Sequence, residues 1–95
     1  MSYAIVGFGK IGHALAKAFA RTGIRINVLS PGAIATELAT EALGEEGLKA
    51  YGAMTALQHM GDPAEVGAAA AFLASSDSSF MTASEVAVDG GLAQL

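Results

Sequence analysis

The chain has no cysteine and no tryptophan, only two prolines, and five basic residues. Each shortage excludes something. Without cysteine there are no disulfides and no thiolate metal sites, which fits a cytoplasmic protein. The two histidines, His13 and His59, stand far apart in sequence and do not make a metal site. Five Lys and Arg against nine Asp and Glu, with no basic cluster, exclude a nucleic-acid partner. No apolar run approaches the ~20 residues that span a bilayer, so no membrane partner is expected. The opening Met1-Ser2-Tyr3-Ala4 has no basic region, so a secretory leader is not expected either.

What is present is apolar and small. Hydrophobic residues make up 53% of the 95 and charged residues 15%, which excludes disorder. Alanine accounts for 21 positions, against two Tyr and four Phe, and alanine buries little area. A single core of this size yields about 3–5 kcal/mol. The chain therefore reads as one domain, residues 1–95, supported by a second copy or a bound cofactor.

Tyr3-Ala4-Ile5-Val6 is a continuous apolar run closed by Gly7, the pattern of a strand buried on both faces. Ile11, Ala14, Leu15, Ala18 and Phe19 fall at helical spacing, which predicts a helix over 10–22 stopped by Gly23. Residues 24–29 alternate apolar and polar and predict a second strand, broken at Ser30-Pro31-Gly32. Thr36 is placed to cap a helix over 37–43 that Gly44 closes, and 45–54 forms another, weakened by Gly47 and Gly52. Asp62, Pro63 and Glu65 have the spacing of an N-cap, a first helical residue and the returning carboxylate of a capping box. That helix runs to about Ala74, and 84–88 predicts a third strand closed by Asp89-Gly90-Gly91.

The resulting β-α-β-α-α-β order implies an α/β, minimal Rossmann-like fold whose three parallel strands are joined by right-handed crossovers. Two strand orders satisfy the pattern, 2-1-3 and 1-2-3. Both leave open sheet edges, so a homodimer or higher homo-oligomer is expected to complete the sheet.

Gly7-Phe8-Gly9-Lys10-Ile11-Gly12 follows a strand and opens a helix, the context in which a G-x-G-x-x-G pattern carries chemistry. Gly7 permits the tight turn, Gly9 lets the backbone approach a pyrophosphate, and Gly12 lets the helix pack on the strand. Free N–H groups at the helix start favour the phosphates. Residues 7–12 are thus candidate binders of NADP or NAD; the plain alternative is a tight strand-to-helix turn. The acid that should hold the adenine ribose about 20 residues on is missing: Leu29 and Ser30 stand there, and no Asp or Glu lies between Gly12 and Glu37. Either the phosphorylated cofactor is preferred or ribose recognition is lost.

Residues 1–23 resemble the opening of a classical Rossmann dinucleotide-binding reductase, closest to the NADP-dependent deazaflavin type. Residues 24–95 are similar to the C-terminal part of short-chain dehydrogenases/reductases. The segments that carry this are Ile24-Arg25-Ile26-Asn27-Val28-Leu29-Ser30-Pro31-Gly32-Ala33-Ile34-Ala35-Thr36, Leu57-Gln58-His59-Met60-Gly61-Asp62-Pro63-Ala64-Glu65-Val66, Ala71-Phe72-Leu73-Ala74-Ser75, and Ser84-Glu85-Val86-Ala87-Val88-Asp89-Gly90-Gly91. The second resemblance implies that Pro31, Gly32, Ile34 and Thr36 face the nicotinamide end of the cofactor, with the backbone near Ile34 at the carboxamide. It also implies that the last helix and strand form a subunit interface. The family's catalytic Ser, Asn and Tyr-x-x-x-Lys pair do not carry over: Tyr3 is followed at the fourth position by Gly7, and Tyr51 by Thr55. Together the two resemblances read as a fusion with a seam near residues 21–24.

Other polar residues have plain readings. Glu45-Glu46 reads as a solvated helix start, His13 and His59 as exposed, Asp77 and Asp89 as turn residues. Three functions follow from the sequence: a minimal NAD(P)-binding domain without catalytic residues, a structural chimera with no activity, or a residual oxidoreductase with a site shared across a dimer.

Overall fold

The structure, a computed structural model, describes residues 3–7 and 13–94. Its elements in order are β1 (Tyr3–Gly7), α1 (His13–Ala20), β2 (Ile24–Pro31), α2 (Glu37–Ala53), α3 (Pro63–Ala74) and β3 (Glu85–Val88), with short 3-10 turns at Ser76–Ser78 and Leu92–Gln94.

The three strands form one sheet in the order β1-β2-β3. β1 runs parallel to β2, with Tyr3 opposite Ile24 and Gly7 opposite Val28. On the other side of β2, Ala83 N–H donates to the Ile26 carbonyl at 2.7 Å and Val28 N–H to the Ser84 carbonyl at 2.9 Å. The α/β class and the three parallel strands are as the pattern implies, and the order 1-2-3 is the one adopted.

That order corrects the reading of the first strand. β1 lies at an edge, with Tyr3 63% and Ile5 46% exposed, so it is not buried on both faces. β2 takes the centre instead, and Ile26, Asn27, Val28 and Leu29 are all buried in succession. Its alternation of polar residues marks a second face on which Asn27 and the Arg25 terminal nitrogens are hydrogen-bonded, while the buried Arg25 Nε has no partner among the described residues. Asn27 donates through Nδ2 to the Met81 carbonyl at 3.0 Å and accepts at Oδ1 from Ser84 N–H at 3.1 Å. Arg25 donates to the carbonyls of Ser78 and Ser75 at 2.8 and 3.1 Å. A buried polar group is stable where its partners are supplied, so Asn27 is buried and Arg25 half-buried on this face.

Local signals settle the helix ends. Thr22 and Gly23 N–H donate back to the Phe19 and Ala20 carbonyls, and Gly23 exits at φ 80. α1 thus ends at Ala20, two residues before the expected last helical residue, Thr22, while positions 10–12 of the expected helix lie outside the described residues. α2 is two helical segments hinged at Gly44, whose φ of 67 and ψ of 177 are non-helical. Thr36 Oγ1 accepts from Ala39 N–H at 3.1 Å and caps the first segment. At α3 the capping box is complete: Glu65 Oε1 accepts from Asp62 N–H and Asp62 Oδ1 from Ala64 N–H, both at 2.9 Å. β2 continues through Ser30 and Pro31, past the break expected there.

The chain divides into two compact units, Met1–Ser30 with Ala68–Val86 and Pro31–Gly67 with Ala87–Leu95. Among the described residues, Ala16, Ile26, Val28, Leu29 and Leu73 supply the apolar core of the first, and Ala33 is a buried apolar residue of the second. Among the described residues no helix is long and apolar enough to cross a membrane.

Candidate cofactor-loop site

The second unit is organised around the loop that leaves β2. Gly32 N–H donates to the Val88 carbonyl at 3.1 Å, which ties the start of the loop to the end of β3. Ala33 then adopts φ 55, a left-handed conformation that a residue with a Cβ takes only when its surroundings hold it there. The hold comes from Gly61: its N–H donates to the Ala33 carbonyl and its carbonyl accepts from Ala35 N–H, both at 2.8 Å. Ile34 and Gly61 thereby form an isolated parallel bridge. Thr36 N–H donates to the Ile34 carbonyl at 2.9 Å and closes the loop into the cap of α2.

This loop walls a cavity of about 460 Å³. Pro31, Gly32, Ile34 and Thr36, four residues singled out in the sequence, all line it. The remaining wall comes from Ala33 in the loop, Ala39, Leu43 and Tyr51 on α2, Pro63 and Val66 on α3, and Met60. The lining is mainly apolar, and Thr36 brings a hydroxyl that accepts from Ala39 N–H and keeps its own proton to donate. Such a chamber is in the size range of small-molecule sites.

Sequence alone did not place Ala39, Leu43, Met60, Pro63 or Val66 at a site: Pro63 reads as a helix start, Met60 and Val66 as part of a resembling segment, and Tyr51 only as a catalytic tyrosine that does not carry over. Ala39 and Leu43 are one helical turn apart, as are Pro63 and Val66, so spacing could have grouped each pair on a face. Nothing in the sequence says that the two faces meet around the loop.

A second cavity of about 440 Å³ shares only Gly32 and Ile34 with the first, and its wall includes His59, Glu65 and Asp89. These polar residues have local work. His59 Nδ1 lies 2.9 Å from the Met60 carbonyl oxygen, Glu65 completes the capping box, and Asp89 accepts from Gly91 and Ala93 N–H at 2.9 and 3.1 Å. Among the described residues no group of three His, Cys, Asp or Glu could hold a metal ion.

Of the glycine-rich segment, Gly7 ends β1; Phe8, Gly9, Lys10, Ile11 and Gly12 lie outside the described residues, as does the His13 side chain.

Parallel strands joined by helices, with a Pro-Gly-x-Ile-x-Thr loop over an apolar chamber, define a Rossmann-like domain. The family described as enoyl-(acyl carrier protein) reductase matches residues 1–93. The chain belongs to this family, within the short-chain dehydrogenases/reductases. It is 67% identical over 85 residues to an oxidoreductase of Sarocladium schorii, covering 85% of this chain and 34% of that protein. It is 43% identical over 93 residues to mouse (3R)-3-hydroxyacyl-CoA dehydrogenase, covering 96% of this chain and 36% of that protein. Aldohexose dehydrogenase of Thermoplasma acidophilum, solved ligand-free, matches with a TM-score of 0.84 and 27% identity over 99% of this chain and 49% of that one. The chain thus spans about a third of the length of the curated relatives it matches. The family match includes residues 21–24, where the sequence suggests a seam.

Proposed function

We propose that this chain is the nicotinamide-facing part of an NAD(P)-dependent oxidoreductase of the short-chain type. The observation that carries the reading is the convergence of Pro31, Gly32, Ile34 and Thr36 on one apolar cavity. In this reading Pro31 and Ile34 pack on the nicotinamide ring, and Thr36 donates its hydroxyl proton to the carboxamide. When bound, the nicotinamide supplies the hydride; the residues here bind it, orient it and keep water from it. Gly7, Phe8, Gly9, Lys10, Ile11 and Gly12 keep their sequence reading as a phosphate-binding segment, and the lack of an acid before Glu37 favours NADP over NAD. The proton donor and substrate-positioning groups belong to portions of the relatives that this chain does not span.

A single family match over residues 1–93 supports one lineage through the whole chain rather than a join near 21–24. The absence of cysteine supports a cytoplasmic setting. Exposed Tyr3 and Ile5 on the edge strand support a homodimer that covers it.

The test is titration of NADPH and NADH, followed by fluorescence and by thermal shift, with Gly9→Asp and Ile34→Asp as controls. Saturable NADPH binding that each substitution weakens is expected. No shift at millimolar cofactor would remove the binding function and leave an inert scaffold.

A further inference from the structure

Gly61 is a glycine for a reason other than backbone conformation. The residues with positive φ are Ala33, Gln58, Ala83, Gly23, Gly44, Gly90 and Gly91, and Gly61 is not one of them. An alanine could adopt its backbone. What excludes a side chain is Ile34: a Cβ on Gly61 would stand 2.9 Å from Ile34 Cδ1, with the next atoms, Ala33 O and Glu65 Oε1, at 3.9 Å. The conflict is therefore with one terminal methyl group, which rotates freely enough to escape.

Where that methyl goes matters because Ile34 lines both cavities of this unit. The same Gly61 holds the loop backbone through its two 2.8 Å hydrogen bonds on either side of Ile34. One residue thus sets both the main-chain path of the loop and the rotamer of its central side chain. We propose that Gly61 is the positioning residue of the cofactor loop: its bare Cα fixes the Ile34 side chain as the partition between the two cavities and so sets the shape of the nicotinamide chamber. This rests on the reading of that chamber given above.

Because the displaced atom is a flexible side-chain end, Gly61→Ala leaves the fold intact and changes the chamber. The experiment compares wild type, Gly61→Ala, Ile34→Val and the double variant in the full chain. Ile34→Val removes Cδ1, the only atom the new Cβ meets closely, so it rescues the site rather than adding a second injury. Affinity is measured for NADPH and for adenosine 2′,5′-bisphosphate, which carries no nicotinamide. Melting temperature and the Ile34 δ1-methyl NMR signal are followed in the free protein.

Gly61→Ala is expected to move the Ile34 methyl signal, to weaken NADPH roughly tenfold and to leave adenosine bisphosphate binding within twofold. The double variant is expected to recover NADPH affinity to that of Ile34→Val alone. Equal loss of both ligands, or loss without rescue, overturns the proposal in favour of a merely structural glycine. An unmoved methyl signal overturns it whatever the ligands do. If the wild type binds neither ligand, the cofactor reading falls and the positioning role falls with it. If the wild type binds NADPH and Gly61→Ala binds it equally, the cofactor reading stands and this proposal alone is overturned.

Discussion

Arg25 Nη1 donates to the Ser78 carbonyl oxygen at 2.8 Å, joining the central strand to the turn that follows α3. Four further bonds spread the same guanidinium over Ser78 Oγ, Met81 O, Leu73 O and Ser75 O, all neutral acceptors. Leu73 O and Ser75 O lie at the C-terminal end of α3, where unpaired carbonyls and the helix dipole favour a cation. Each of these carbonyls also accepts from a second protein donor, so the guanidinium adds charge-assisted bonds to a turn that is already hydrogen-bonded.

Arg25→Ala is expected to destabilise the protein by about 1–3 kcal/mol, because it removes charge-assisted hydrogen bonds from a partly buried site while each carbonyl keeps a second donor. Arg25→Lys recovers less than half of that, since a compact ammonium cannot reach the spread of acceptors a planar fork does. Urea denaturation followed by circular dichroism measures both; a loss under about 1 kcal/mol for the alanine variant contradicts the cap.

Two glycines on helices separate crowding from helix propensity. A Cβ at Gly52 would lie 2.7 Å from Met60 N and 2.8 Å from the His59 carbonyl carbon, both main chain. A Cβ at Gly67 meets nothing within 4 Å. Gly52→Ala should therefore lower stability by about 1–3 kcal/mol, while Gly67→Ala should raise it by about 1 kcal/mol. Thermal melts that rank the two the other way refute the packing described for α2.

Thr36 serves the helix cap in the structure and the cofactor in the proposal, and conservative variants part the two from neighbouring effects. Thr36→Ser keeps the hydroxyl and is expected to retain stability and NADPH affinity. Thr36→Val loses the acceptor for Ala39 N–H, costing about 1 kcal/mol, and loses the donor, weakening NADPH about tenfold. Calorimetric titration beside thermal melts reads both; unchanged affinity in the valine variant removes Thr36 from the cofactor site.

The edge strand makes the oligomer testable. Sedimentation of the wild-type chain is expected to show a dimer, and Ile5→Lys, a charge on an exposed edge residue, is expected to shift it to monomer. A wild-type chain that sediments as a stable monomer ends the argument from open edges.

The sequence by itself determined the local grammar of this protein. The capping box at Asp62 and Glu65, the Thr36 cap, the exit at Gly23 and the break at Gly44 depend on residues within four positions of one another, so spacing alone reveals them. Pro31, Gly32, Ile34 and Thr36 came forward through the resemblance to short-chain dehydrogenases/reductases, which a contiguous loop motif can carry. Only the tertiary structure decided which strand is central. A continuous apolar run at Tyr3–Val6 and an alternating one at 24–29 suggest the reverse of what is found, because periodicity records side-chain polarity and not whether a distant segment satisfies it. Asn27 became buried and Arg25 half-buried because positions about fifty further along supply their partners. The chamber around Ile34 depends on the same long-range placement: Gly61 is 27 residues away in the chain and its backbone sits in hydrogen-bonding distance of the loop, a proximity that no local pattern encodes.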